Sequence, residues 1–153
     1  MKTLSALVSE QPFFKGLQPQ YFLSFNECAE LLHFRAHEKI FEKGHEAERF
    51  YLITSGEVAV ETAFVPGEGV VTIQTLGQGD PLGWSWLYPP YEWHFSARAV
   101  SQVEAIAFDA KRLRQAAAEN KAFGYEVAMR VGYMLSRRLQ QTRAELLSLC
   151  EVS

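Results

Sequence analysis

The residues whose types could do chemistry are few, and most of them fall in one stretch. Gly79 to Val100, GDPLGWSWLYPPYEWHFSARAV, holds all three Trp residues and three of the six Pro. Tyr88, Tyr91, Phe95, His94 and Arg98 lie in it as well. Aromatics this dense either fill a core or line a pocket. His94 beside Trp93 has the type of a haem ligand, but a lone His gives no ligand set. The other three histidines, His33, His37 and His45, raise a metal question. His33 and His37 are four apart across a strand and a turn, and His45 falls in a turn. A metal site needs a tighter set on one face, so these read as surface or turn histidines and no metal ligand is assigned. Local spacing suggests no nucleophile–base constellation either, so no catalytic residue is assigned.

Composition bounds the rest. With 153 residues the chain reads as one domain with a real core. The formal net charge of −3 argues against direct DNA binding, which usually shows a basic excess. Cys28 and Cys150 are too far apart in sequence to form a metal or redox motif. As thiols they fit a reducing compartment, and the expected location is cytoplasmic. No apolar run approaches a membrane span, and MKTLSALVSEQPFF is a poor signal peptide.

The elements that must position the aromatic stretch follow from periodicity. Ser5 to Glu10 reads as a short helix ended by Pro12, and a second runs from Pro19 to about Glu30. From Leu31 the apolar period drops to two, through Leu32, Phe34 and Ala36. Further strands are expected over Lys39–Phe41, Arg49–Thr54, Val58–Thr62 and Val70–Leu76. They are separated by turns at His37-Glu38, Gly44, Ser55-Gly56, Pro66–Gly69 and Gly77–Asp80. HFSARAV and VEAIAF read as a last hairpin turning near Ser101-Gln102. Short strands with Gly-bearing turns at this spacing predict a sandwich or closed barrel. Asp109 is a good N-cap for AKRLRQAAAE.

Residues from Lys121 to about Leu149 contain no Pro and predict one helix of about 40 Å. Ala128, Gly132, Leu135, Leu139, Thr142, Leu146 and Leu149 follow a heptad seam. Val127, Val131 and Met134 form a neighbouring face that can lie on the barrel. One broad stripe packed within the monomer is the alternative. The helix outruns a monomer core of this size, which favours a dimer seam.

The order of elements resembles the cyclic-nucleotide-binding domain of the catabolite-activator (Crp/Fnr-like) family. PFFKGL matches that family's Phe-x-Gly-Leu opening. In HEKIFEKGHEAERFYLITSGEVAV, Glu38, Ile40, Phe41, Gly44, Ala47, Tyr51, Ile53, Gly56, Val58 and Val60 stand in register with its pattern. The resemblance covers nearly the whole chain. It implies a mainly β fold with flanking helices, a jelly-roll β-barrel (double-stranded β-helix) with short N-terminal helices. Residues 1–120 would form that domain and residues 121–153 its dimerisation helix, with no helix-turn-helix.

In that family the ligand site is a phosphate-binding cassette resembling G-E-x-x-G-E-x-A-L, a loop, then P-R-[ST]-A. Its second Glu holds the ribose and its Arg the cyclic phosphate. Laid on this chain, Gly83-Trp84 takes the second Gly-Glu place and His94-Phe95-Ser96-Ala97 takes P-R-[ST]-A. Trp84 thus replaces the carboxylate and Phe95 the guanidinium. The cassette positions are Gly83, Trp84, Ser85, Trp86, Leu87, Phe95, Ser96 and Ala97. A short helix from Gly83 to Leu87 could still offer backbone N–H groups to an anion. Arg98 is the candidate anion contact, although strand alternation sets it on the face opposite Phe95. An anion buried without a cation leaves its desolvation uncompensated, which disfavours cyclic AMP and cyclic GMP. The aromatic rings could plug the pocket or wall it. The expected function is a non-enzymatic regulatory module, a homodimer that takes another small, apolar or aromatic ligand or a protein partner. Cyclic-nucleotide binding through the remaining cassette is one alternative, and a cupin-like metal enzyme is the other. No DNA or membrane partner is expected.

Overall fold

A computed structural model describes residues 2–63, 67 and 69–151. Two four-stranded antiparallel sheets face one another in a jelly roll. One has the order β1-β8-β3-β6 and the other β2-β7-β4-β5. The strands are β1 (Ala29–Phe34), β2 (Lys39–Phe41), β3 (Arg49–Ser55), β4 (Val58–Ala63), β5 (Val70–Leu76), β6 (Pro81–Leu82), β7 (Ser96–Ala99) and β8 (Val103–Asp109). Helices α1 (Leu4–Ser9) and α2 (Phe22–Glu27) precede the sheets, and α3 (Ala110–Glu119) and α4 (Lys121–Glu151) follow them.

Apart from β6, which the pattern does not predict, the strands fall where the period-two pattern places them, with three corrections. The second helix stops at Glu27 and β1 starts at Ala29, because Ala29 is already paired with Phe108. HFSARAV and VEAIAF do not form a hairpin. β7 pairs with β2 and β4, whereas β8 pairs with β1 and β3. The turn at Ser101-Gln102 therefore carries the chain from one sheet to the other. The expected helix from Gly83 to Leu87 is a single turn, closed by the Leu87 N–H on the Trp84 carbonyl at 3.1 Å. Of the Pro66–Gly69 hairpin tip, Pro66 and Glu68 lie outside the described residues.

The two sheets enclose an aromatic core. Phe14, Phe25, Phe50, Phe108 and Trp86 are each almost wholly buried and stack edge-on or face-on with one another. Burying each such side chain contributes about 1.5–3 kcal/mol. Asp109 caps α3, its carboxylate accepting from the Arg112 N–H at 3.2 Å. Helix α4 lays Val127, Val131 and Met134 on the body, all buried. Beyond Met134 it runs across the open edge of the second sheet, where Gln74 of β5 donates to Gln141 at 3.3 Å. Every residue from Leu139 to Cys150 is exposed.

Candidate ligand pocket

The aromatic stretch is folded back on the turn after β2. The Gly44 N–H donates to the Trp93 carbonyl (2.9 Å), the Trp93 N–H to the His45 carbonyl (3.0 Å), and the Ala47 N–H to the Tyr91 carbonyl (2.7 Å). From the other side α3 pins it. Arg114 donates to the Trp86 carbonyl at 2.7 Å and lies over the Tyr91 ring at 4.2 Å. These contacts set three indoles in three different places.

Trp86 points into the core, with no exposed surface, stacked on Phe50 at 5.1 Å. Trp93 is also buried. One face stacks on Phe41 at 3.7 Å and 10°. The Cζ3–Cη2 edge of the ring lies so close to Gly83 that a Cβ there would sit 2.4 Å from it. Gly83 has φ +90°, so both its conformation and its neighbour call for glycine. Trp84 stays half-buried, stacked on His94 at 4.8 Å and edge-on to Phe95 at 6.5 Å. His94 in turn holds Ser85, Oγ to Nδ1 at 2.9 Å.

Between these rings, β4–β5 and α4 lies a cavity of about 380 Å³. Phe41, Trp84, Trp93 and Phe95 make its aromatic walls; Val60, Ile73 and Leu82 its aliphatic floor; Gly83, Ser85 and Gln74 its polar edge. Leu135, Arg138, Leu139 and Thr142 of α4 close it. The volume lies in the ordinary range for small-molecule sites, and so does the mix of rings with a few polar groups.

The positions singled out in the sequence divide here. Gly83, Trp84, Ser85 and Phe95 line the cavity, as do the helix residues Leu135, Leu139 and Thr142. Trp86 belongs to the core instead, and Leu87 packs against that core from its edge. Ala97 points inward and is buried, while Ser96 and Arg98 point outward, as the alternation of β7 requires. Arg98 does not reach the cavity. Its Nε donates to Glu61 at 3.0 Å in an outer groove shared with Lys39, Glu42, Lys43 and Ser96. Ser96 Oγ is occupied by the Lys43 N–H at 3.0 Å. Glu61 keeps the outward orientation that alternation gives it, opposite Ser96, and is buried on that face, where it pairs with Arg98. Within that groove the Lys39 ammonium, hydrogen-bonded to Glu42, holds the Glu42 carboxyl below its usual range.

Sequence reasoning missed Phe41 and Trp93 as walls and Arg138 as the cavity's charge. Among the described residues Arg138 is the only charged side chain lining it. Its guanidinium donates to the Pro81 carbonyl. Burial lowers its pKa to about 10, partly opposed by the nearby Asp80 carboxylate, so it remains a cation at neutral pH. The signal was available in the spacing. Val127, Val131 and Met134 continue by four residues to Arg138, along the face that meets the barrel.

The histidines stay apart. His33 meets Glu104 at 3.1 Å, His45 is 3.7 Å from Glu42, and His37 occupies a turn with φ +74°. Among the described residues no three His, Cys, Asp or Glu side chains come together, and no described helix is long and apolar enough to cross a membrane.

A jelly roll whose inner face opens into a cavity under a C-terminal helix has room for a small ligand. The comparisons agree with that fold. The cyclic nucleotide-binding domain family model matches residues 31–120. A CRP-like cAMP-activated global transcriptional regulator of Mycobacterium tuberculosis is 24% identical over 95% of this chain and 63% of its own length. This chain thus spans under two thirds of that curated relative. The Thermus thermophilus catabolite activator protein superposes with a TM-score of 0.69 at 26% identity, over 91% of this chain and 63% of that one. A candidate cyclic nucleotide-binding protein from Geobacter metallireducens has a similar fold, with TM-score 0.81 at 23% identity over 90% and 99% of the two chains. The chain belongs to the cyclic nucleotide-binding domain family.

Proposed function

We propose that this chain is a non-enzymatic, cytoplasmic regulatory domain that senses a small molecule other than a cyclic nucleotide and works as a homodimer. The observation that carries the ligand reading is the cavity wall. Trp84 stands where the resemblance places a ribose-binding carboxylate, and Phe95 where it places a phosphate-binding guanidinium. The rings do not consume the space, since about 380 Å³ remains between them and α4. Cyclic AMP or cyclic GMP bound here lacks two charge-assisted contacts, each contributing about 1.5–3 kcal/mol. Binding is therefore weaker than at an intact cassette by roughly a hundredfold to ten-thousandfold.

The dimer reading rests on α4. Ala128, Gly132, Leu139, Thr142, Leu146 and Leu149 are exposed, and Leu135 is half-buried between this seam and the cavity. Beyond Thr142 every side chain from Arg143 to Cys150 is exposed, and a helix end left so exposed is marginal alone in water and gains stability from a partner. A reducing compartment suits Cys28, a buried thiol that donates to the Ser24 carbonyl at 3.4 Å. Titration calorimetry with both cyclic nucleotides tests the ligand reading: no saturable heat is expected in the micromolar range. A micromolar isotherm with either would make the aromatic cassette a working nucleotide site and overturn it.

A further inference from the structure

Of the four partly buried arginines, Arg98 and Arg130 each pair with a glutamate and Arg114 lies over the Tyr91 ring. The fourth, Arg138, lines the cavity. It donates to the Pro81 carbonyl but has no carboxylate within ion-pairing distance among the described residues. Asp80, whose carboxylate acts on it electrostatically, already accepts the Gly77 N–H at 2.8 Å. A partly buried guanidinium with unused donors, set in an otherwise uncharged cavity, is a strong site for an anion. One cation calls for one negative charge, since a second would be desolvated without compensation. The body of the ligand is set by the walls. Phe41 and Trp93 stack nearly parallel, and Trp84 and Phe95 stand edge-on to each other, so the lining favours a flat ring. A cyclic phosphodiester is also a monoanion. Its ribose hydroxyls, however, would meet the Trp84 indole where a carboxylate is needed.

We propose, resting on the reading of this cavity as a small-molecule site, that it binds a planar aromatic monocarboxylate whose carboxylate is held by Arg138 of α4. The anchoring charge has thus moved from the cassette strand to the helix. Matched pairs of aromatic carboxylic acids and their primary amides, screened against the ¹⁵N-indole spectrum of the protein, test this directly. Trp84 and Trp93 report on the cavity and Trp86 serves as the reference outside it. Acids are expected to shift Trp84 and Trp93 and to bind about tenfold to a hundredfold tighter than their amides. Arg138→Gln should erase that difference while amide binding persists, and Arg138→Lys should retain part of it. Acids no tighter than amides would overturn the proposal and leave the cavity reading standing. Shifts at neither Trp84 nor Trp93 across the whole panel would remove both. A cyclic nucleotide that outcompetes the acids through Arg138 would overturn the carboxylate assignment. The acid–amide difference is read on the wild-type protein, so the result does not depend on either variant folding.

Discussion

Gly83 is the residue on which the cavity's shape turns, and Gly83→Ala puts a number on it. At φ +90° an alanine is strained, which costs on the order of 1–3 kcal/mol. The new Cβ would also lie 2.4 Å from Cζ3 and 2.7 Å from Cη2 of Trp93. That ring is buried and stacked on Phe41 at 3.7 Å, so it cannot retreat without opening the Phe41 contact. Overpacking of this kind costs about 1–3 kcal/mol. Together the variant should lose roughly 2–6 kcal/mol, a large part of the ~5–15 kcal/mol that holds an ordinary domain together. For a chain of this length, that corresponds to a fall in Tm of roughly 5–20 °C. A double-mutant cycle with Trp93→Leu separates the two terms. Removing the ring relieves the clash but not the backbone strain, so Gly83→Ala should cost about 1–3 kcal/mol less in the Trp93→Leu background. Urea unfolding of the four proteins gives the cycle. A Gly83→Ala cost below about 0.5 kcal/mol, or additivity within the usual ~0.5 kcal/mol, would refute the packing of Trp93 on Gly83.

Two further outcomes follow from other parts of the molecule. Leu146→Arg places a charge on the exposed seam well away from the cavity. It should convert a dimer to a monomer by light scattering at tens of micromolar while leaving the fold intact; a wild-type protein already monomeric there would remove the α4 interface. Burial pushes the Cys28 thiol above its ordinary value of 9.0, so the reactive thiolate is scarce at pH 8. Peptide mapping after iodoacetamide should find Cys28 modified only once denaturant is added, and rapid labelling in the native protein would contradict its packing.

The barrel was legible because its signals are local. Alternation in β7 is enough to send Ala97 and Ala99 inward and Ser96 and Arg98 outward. Turn glycines announce themselves by chemistry that other residues resist. Gly56 at φ +92° has the Gln102 carbonyl 2.2 Å from where a Cβ would be. What failed was what depends on distant pairing. A short turn between two extended runs reads as a hairpin, yet β7 and β8 find partners in different sheets, and nothing near Ser101 encodes that choice. Glu61 faces outward as counting predicts, yet it is buried beside Arg98, a pairing across β4 and β7 that period-two counting cannot see. The three indoles show the same limit within one stretch. Trp84, Trp86 and Trp93 are the same residue type within ten positions, but the loop's hydrogen bonds to Gly44, His45 and Ala47 decide which becomes wall and which becomes core.

The relocation of charge is the point where local and distant information meet. Read along the cassette alone, the site has lost its cation, since Phe95 stands in the guanidinium's place and Arg98 is engaged by Glu61 on the outer face. Read along α4, the barrel-facing stripe through Val127, Val131 and Met134 continues to Arg138 at the next helical step. That step carries the stripe past the packed body and over the cavity. An apolar residue there would have extended the core. An arginine in the same place is a cation at neutral pH despite burial, and among the described residues it gives the cavity lining its one charge. The anion site is therefore not a remnant of the cassette but a feature of the helix, set by its rotation on the barrel. Leu135, Leu139 and Thr142 belong both to the cavity and to the exposed seam. A ligand held by Arg138 accordingly touches the same helix face through which two copies would meet.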